Sequence, residues 1–126
     1  YICADIKDFE LSEITSNKEI TLLVSNSLIH HITYLEDFFK SIIRISNNQT
    51  INFHKDLKRP ADEKTALELK NKLSNKYNNT LINDYYASLR ASYTYKELKN
   101  YTLENNLHSL DVFEDGEQYL IVYGKV

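Results

Sequence analysis

The chain is predicted to be an α/β domain: a parallel strand pair joined by a crossover helix, further helices packed on the sheet, and an antiparallel hairpin at the carboxyl end. Three observations predict it. Ile20, Thr21, Leu22, Leu23 and Val24 are β-branched or aliphatic and uncharged, the pattern of a strand buried on both faces in a parallel sheet. Residues 35–46 then place Leu35, Phe38, Phe39, Ile42, Ile43 and Ile45 on one helical stripe, ahead of the alternating run 50–54. Finally, residues 107–113 and 118–126 alternate on either side of Glu114-Asp115-Gly116-Glu117, as hairpin strands do.

Taken in order, residues 1–5 are a short apolar run ending in Asp5, read as a strand with the carboxylate at its tip. Residues 6–18 are mixed and polar and read as a loop with at most one helical turn. The strand at 20–24 stops on Ser25, Asn26 and Ser27, and a polar triplet at the carboxyl end of a buried strand is where open α/β sheets place ligands. The adjacent His30 and His31 follow. Thr33 is the expected N-cap of the helix at 35–46, with Glu36 as its capping-box partner, and Asn47-Asn48-Gln49 ends that helix. After the strand at 50–54, Pro60 with Ala61, Asp62 and Glu63 starts a helix whose stripe is Ala66, Leu69, Leu73 and Tyr77. Residues 78–80 break it, and 81–92 form the next helix, carrying Ile82, Tyr85, Tyr86 and Leu89, with Tyr93 following. Thr94 caps a last helix, with Glu97 three residues on.

Size and charge narrow the function classes. A chain of 126 residues builds one core, and its 42% apolar and 26% charged content is ordinary for a globular domain. A net charge of -3 without a basic stripe predicts no nucleic-acid partner, and no run is long enough to span a membrane. The single cysteine, Cys3, excludes an internal disulfide and fits a reducing, cytoplasmic setting. The chain opens at Tyr1 and holds no methionine, so a longer translation product is expected. Only Gly116 and Gly124 are glycine, whereas a nucleotide-binding α/β domain uses several in its first strand-to-helix turn.

The candidate residues each have two readings. Asp5 suits hydroxyl or amide donors of a nucleotide-like ligand, or else serves as a helix N-cap or a solvated turn. Ser25, Asn26 and Ser27 line a cleft or satisfy their own turn. His30 and His31 are a general-base or metal-pair candidate. Neighbours on a helix point apart, however, and no Cys or carboxylate cluster joins them, so no metal site is expected. One histidine is expected against the sheet and the other near the cleft. Asp56 and Arg59 either pair with each other or meet a polar substrate; the tyrosines around Arg90 read as packing.

Several of these segments, in this order, resemble class I S-adenosylmethionine-dependent methyltransferases. Val24-Ser25-Asn26-Ser27-Leu28-Ile29-His30-His31-Ile32 resembles the family's fourth-strand motif, and Cys3-Ala4-Asp5-Ile6-Lys7-Asp8-Phe9 the end of its third strand. Phe38-Phe39-Lys40-Ser41-Ile42-Ile43-Arg44-Ile45 resembles the helix after the fourth strand. The run from Asn52 to Pro60 and the run from Asp84 to Thr94 resemble the branch related to quinone-biosynthesis methyltransferases. The resemblance implies an incomplete Rossmann-like methyltransferase sheet: a single domain over residues 1–126, the C-terminal portion of a methyltransferase, lacking the glycine-rich N-terminal part. It implies S-adenosylmethionine as cofactor, with Asp5 and Ile6 at adenine and Ser25, Asn26 and Ser27 near the methyl donor. It implies a small-molecule methyl acceptor met by His30, Asp56 and Arg59, with catalysis by positioning. The family's first strand would pair with residues 20–24, so that strand is expected to offer an open edge for self-association or pairing. The rival reading is a non-catalytic, degenerate half-domain serving as an interaction module.

Overall fold

The structure is a computed structural model that describes residues 3–8, 20 and 22–126. Its elements are β1 (Leu22–Asn26), a 3-10 turn (Ile29–His31), α1 (Leu35–Ile45), β2 (Ile51–Leu57), α2 (Glu63–Leu73), α3 (Asn79–Ala91), α4 (Tyr95–Glu104), β3 (Leu110–Asp115) and β4 (Tyr119–Gly124). The four strands form one sheet in the order β1-β2-β4-β3. β1 and β2 are parallel, with Leu23 beside Asn52 and Ser25 beside His54. β4 runs against both β2 and β3, so the expected hairpin is present and its second strand lies inside the sheet.

Both glycines serve this hairpin. Gly116 turns it at φ 65, in the left-handed region that glycine enters without strain. Gly124 sits where a Cβ would come 2.1 Å from the Ser109 carbonyl oxygen. Neither is available for a phosphate-type loop.

One face of the sheet carries the core. The directly opposed side chains of His54 and Val122, Asp56 and Leu120, and Val122 and Val112 share that face. Over it pack Phe38, Phe39 and Ile42 from α1, Leu98 from α4, and Ile29 and Leu107. The stripe predicted for 35–46 is therefore the buried one, and Ile43 alone of that set turns outward. The other face carries Leu22, Val24, Phe113 and Tyr123, all exposed.

The capping box on α4 is complete: Thr94 Oγ1 accepts from the Glu97 amide at 3.2 Å, and a Glu97 carboxylate oxygen accepts from the Thr94 amide at 2.8 Å. Asp62 and Asn78 cap α2 and α3 by accepting from the Thr65 and Leu81 amides. For α1 the expectation is corrected. Its N-cap is Tyr34, not Thr33, and no side chain caps it.

Four further expectations change. The strand expected at 20–24 runs from Leu22 to Asn26, and it is an edge strand, not one buried on both faces; Leu22 is 54% and Val24 60% exposed. Apolar composition marks a strand but not how many neighbours cover it. Residues 3–5 form no strand; Asp5 instead starts a turn in which the Asp8 amide donates to its carbonyl. Tyr1, Ile2, residues 9–19 (most of the predicted loop) and Thr21 of the predicted strand lie outside the described residues. β2 continues to Leu57, so Asp56 belongs to the strand and not to its exit. Of the stripe proposed for α2, only Ala66 is buried, and Tyr77 lies beyond the helix.

Candidate functional site

The site forms where β1 and β2 end. Parallel strands present their carboxyl ends together, and in open α/β sheets the crevice outside those ends receives ligands. β1 ends at Asn26, and Ser27 then takes φ 54, a left-handed conformation uncommon for serine, while its amide donates to the Lys55 carbonyl. This bend sends the chain into the 3-10 turn Ile29–His31. Such backbone outliers concentrate at functional sites.

The turn separates its two histidines, as expected. His30 is buried, and its Nδ1 lies 2.5 Å from Asp56 Oδ1, with side chains only 3% and 4% exposed. The His30 amide donates to Asp56 Oδ2 at 3.2 Å, and the Leu57 amide donates to Oδ1 at 2.7 Å. Three N–H groups thus converge on one buried carboxylate, which satisfies it as a buried charge must be. Asp56 therefore does not pair with Arg59. The Arg59 guanidinium donates instead to Glu97, and its amide to the Tyr93 carbonyl. That places Arg59 with α4, outside the dyad and outside the lining of the cleft described next.

His31 is exposed, and its ring lies 4.1 Å from that of His30. It lines a cavity of about 510 Å³ together with Asp5, Ile6, Lys7, Leu28, Ile32, Thr33, Tyr34, Asp37 and Phe38. Asp5 and Ile6 are thus brought to one cleft with the segment that follows β1, although the strand expected to carry them is absent. Arg44, on the last turn of α1, holds their loop by donating to the carbonyls of Ile6 (2.7 Å) and Lys7 (3.1 Å). Asp5 Oδ1 accepts from the Lys7 amide at 2.9 Å, which is the local-turn role. A carboxylate has about four acceptor positions, so an exposed Asp5 can still receive a ligand donor.

Ser25 points to a second buried group. Its hydroxyl lies 2.9 Å from His54 Nδ1, and His54 Nε2 lies 3.4 Å from Asn52 Oδ1. Burial lowers the pKa of His54 to about 4, so the ring is neutral at ordinary pH. His54 stands edge-on to Phe38. Asn26 and Ser27 are exposed and line neither this network nor the cavity.

Among the contributors not proposed for the site from sequence are Thr33, Tyr34 and Asp37 in the cleft, and His54 under Ser25. Thr33 reads as the cap of a helix, and Tyr34 and Asp37 carry no signal of their own in the sequence. The signal for His54 was an inward-facing histidine in an alternating strand.

The set fits the adenine end of a nucleoside. Ile6, Leu28, Ile32 and Phe38 offer apolar walls for a flat base, and Asp5 and Asp37 offer acceptors for its amino group. It does not fit the remainder of a nucleoside-amino acid ligand, because the described residues provide no glycine-rich turn. They also hold no group of three or more His, Cys, Asp or Glu placed to bind a metal ion, and no helix long and apolar enough to cross a membrane.

No family model and no curated protein matches the chain by sequence. Solved structures do match in shape. The plantazolicin methyltransferase BpumL, in complex with a triazolic desmethylPZN analog and SAH, superposes with a TM-score of 0.66 at 14% identity over 97% of this chain. Its complexes with monoazolic and pentazolic analogs and SAH give 0.66 and 0.63 at the same identity. In the first of these the match covers 57% of the BpumL chain, so the present chain spans a little over half the length of that structure. The mixed sheet, its packed helices and its C-terminal antiparallel pair thus share the fold of a methyltransferase.

Proposed function

We propose that this chain supplies the adenine-side and acceptor-side portion of a site for S-adenosylmethionine-dependent methyl transfer to a small molecule. The observation that carries the reading is the cleft in which Asp5 and Ile6 meet the segment after β1. Its position at the strand ends and the SAH held by the structural neighbours support it. Asp5 and Ile6 would hold the adenine, and Ser25, Asn26 and Ser27 would border the donor. His30, Asp56 and Arg59 stand on the acceptor side. The donor, when bound, supplies an electrophilic methyl group; the chain's part is to orient the acceptor and exclude water. The resemblance of residues 52–60 and 84–94 supports the quinone-biosynthesis branch, and the lone exposed Cys3 is compatible with a cytoplasmic setting.

Affinity divides with the site. Without a glycine-rich turn, several hydrogen bonds are lost, each worth about 0.5–1.5 kcal/mol, while the cost of ordering the ligand is unchanged. Calorimetry is therefore expected to show no binding of S-adenosylhomocysteine at micromolar concentration by these 126 residues alone. Binding is expected once a segment carrying that turn is supplied, in the same chain or as a separate one, and Asp5→Ala then weakens it. Tight binding by the 126 residues alone, or a completed protein indifferent to Asp5→Ala, refutes the proposal.

A second reading rests on its own observation. β1 ends the sheet, and the face bearing Leu22 and Val24 is exposed, which suits an interaction module or a self-associating half-domain.

A further inference from the structure

We infer that a second cavity, at the exit of β2, holds the methyl acceptor, and that the acceptor is a small organic anion: an apolar body carrying a carboxylate. The inference rests on the methyl-transfer reading for the ligand's role and on this cavity for its binding.

The cavity encloses about 580 Å³, a volume typical of small-molecule sites. The chain leaving β2 forms one wall; α2, the start of α4 and the turn of the hairpin form the others. Leu57 stands opposite Tyr119, so that turn and the exit of β2 share one end of the sheet, the end at which β1 delivers the first cleft. Tyr93 lies between the two cavities. Its hydroxyl donates to the carbonyl of Ile32, which lines the first cleft. Its backbone pairs with Lys58 and accepts from the Arg59 amide, and both of these residues line the second. A methyl donor in one cavity and an acceptor in the other are then neighbours across a single residue.

The charges select the ligand. Three cations line the cavity, Lys58, Arg59 and Lys96, against two acids, Glu114 and Glu117. Lys58 Nζ lies 3.1 Å from Glu114 Oε1, but the lysine side chain is 19% exposed and the glutamate 51%, so the cation sits inside and the acid at the rim. A pair of this kind stabilises little, and an incoming carboxylate replaces Glu114 at little cost. Arg59 gives Glu97 one arm of its guanidinium, which holds the group in place and leaves further N–H donors for a ligand. Lys96 holds no ion pair among the described residues. Pro60, Leu69 and Tyr95 add apolar wall, which a bare inorganic anion does not need.

Benzoate is the probe, with benzamide as its uncharged isostere and inorganic phosphate as an anion without an apolar body. In nitrogen–proton correlation NMR of the native chain, benzoate is expected to shift the amides of Lys58, Arg59, Tyr95 and Gln118 saturably, with a dissociation constant on the order of millimolar. Benzamide and phosphate are each expected to bind about tenfold more weakly or worse. Arg59→Gln is expected to weaken benzoate about tenfold and Arg59→Lys less, while Lys125→Gln, outside the cavity lining, leaves the affinity unchanged. Benzoate that shifts none of these amides, or binds no better than benzamide, overturns the inference. Phosphate that binds as well as benzoate overturns the ligand class. Unchanged affinity in a folded Arg59→Gln protein overturns the role of Arg59; if that variant does not fold, Lys96→Gln is read in the same way. In a completed protein that binds S-adenosylhomocysteine, benzoate is expected to bind alongside it, and competition between the two would overturn the assignment of two cavities. The titration of the native chain uses no donor. Failure of S-adenosylhomocysteine binding would therefore sink the methyl-transfer reading and leave the anion site standing, so the two can fail separately.

Discussion

Replacing Phe39 with alanine is expected to destabilise the chain by about 3–5 kcal/mol, the usual cost of emptying a buried aromatic site. Phe39 is 1% exposed. Its ring stacks on Tyr101 at 5.0 Å between centroids and meets Phe38 edge-on at 5.3 Å. Each such pair adds about 0.5–1.5 kcal/mol beyond burial, which puts the expectation at the upper part of the range. The void is bounded by α4 and by the sheet, two rigid elements that cannot both move in, so relaxation is limited. Set against a total stability of about 5–15 kcal/mol, the loss is about a fifth of the whole at the least. Urea unfolding followed by far-ultraviolet circular dichroism measures it, with an unchanged m-value as the check that the same surface is exposed. Ile43→Ala, on the outward flank of the same helix, is the control and is expected to cost about 1 kcal/mol or less. A Phe39→Ala loss under about 1 kcal/mol, or equal losses at Phe39 and Ile43, would refute the packing of α1 on the sheet.

The remaining predictions concern pH and assembly. His54 has an ordinary value of 6.5 and a folded value of about 4, so the unfolded chain binds the extra proton between them. Stability is therefore full above about pH 6.5 and falls as pH drops toward 4, by on the order of 3 kcal/mol. His54→Leu is expected to flatten that slope in denaturant melts, and an unchanged slope would remove His54 as its source. On the open face, Leu22→Lys with Val24→Lys is expected to shift the chain toward monomer in sedimentation velocity, since charge blunts an edge strand. A wild-type chain that is already monomeric at high micromolar concentration would rule out self-association through β1.

What the sequence made legible was local. The box Thr94 to Glu97 spans three residues and specifies a helix start by itself. The stripe through Phe38, Phe39, Ile42 and Ile45 is a periodicity within one helix. The hairpin lies between two alternating runs with Gly116 in the turn. What it could not supply was pairing at a distance. Asp56 has Arg59 three residues away, and proximity in sequence suggested a pair, yet its partner is His30, 26 residues earlier in the chain. That contact exists only because two parallel strands end side by side. β1 shows the same limit, since Leu22 and Val24 are as apolar as any core strand but sit at an edge. Asp5 reaches the cleft through a turn held by Arg44, 38 residues along the chain from Ile6, and not through a strand tip.

The covered face of β2 presents Asn52, His54 and Asp56 in succession, three inward polar side chains where apolar ones would be more stable. The pattern makes sense if the two buried histidines divide the work. His54 Nε2 lies 3.4 Å from Asn52 Oδ1, and its Nδ1 lies 2.9 Å from the Ser25 hydroxyl. Both of its nitrogens are occupied, and burial keeps it neutral. It acts as a strut that fixes Ser25 within the last turn of chain before the bend at Ser27. His30 is held differently, with both its Nδ1 and its backbone amide on the Asp56 carboxylate. The cost of three buried polar groups on one strand is thus tied to one arrangement: a bent strand end fixed through Ser25 and His30.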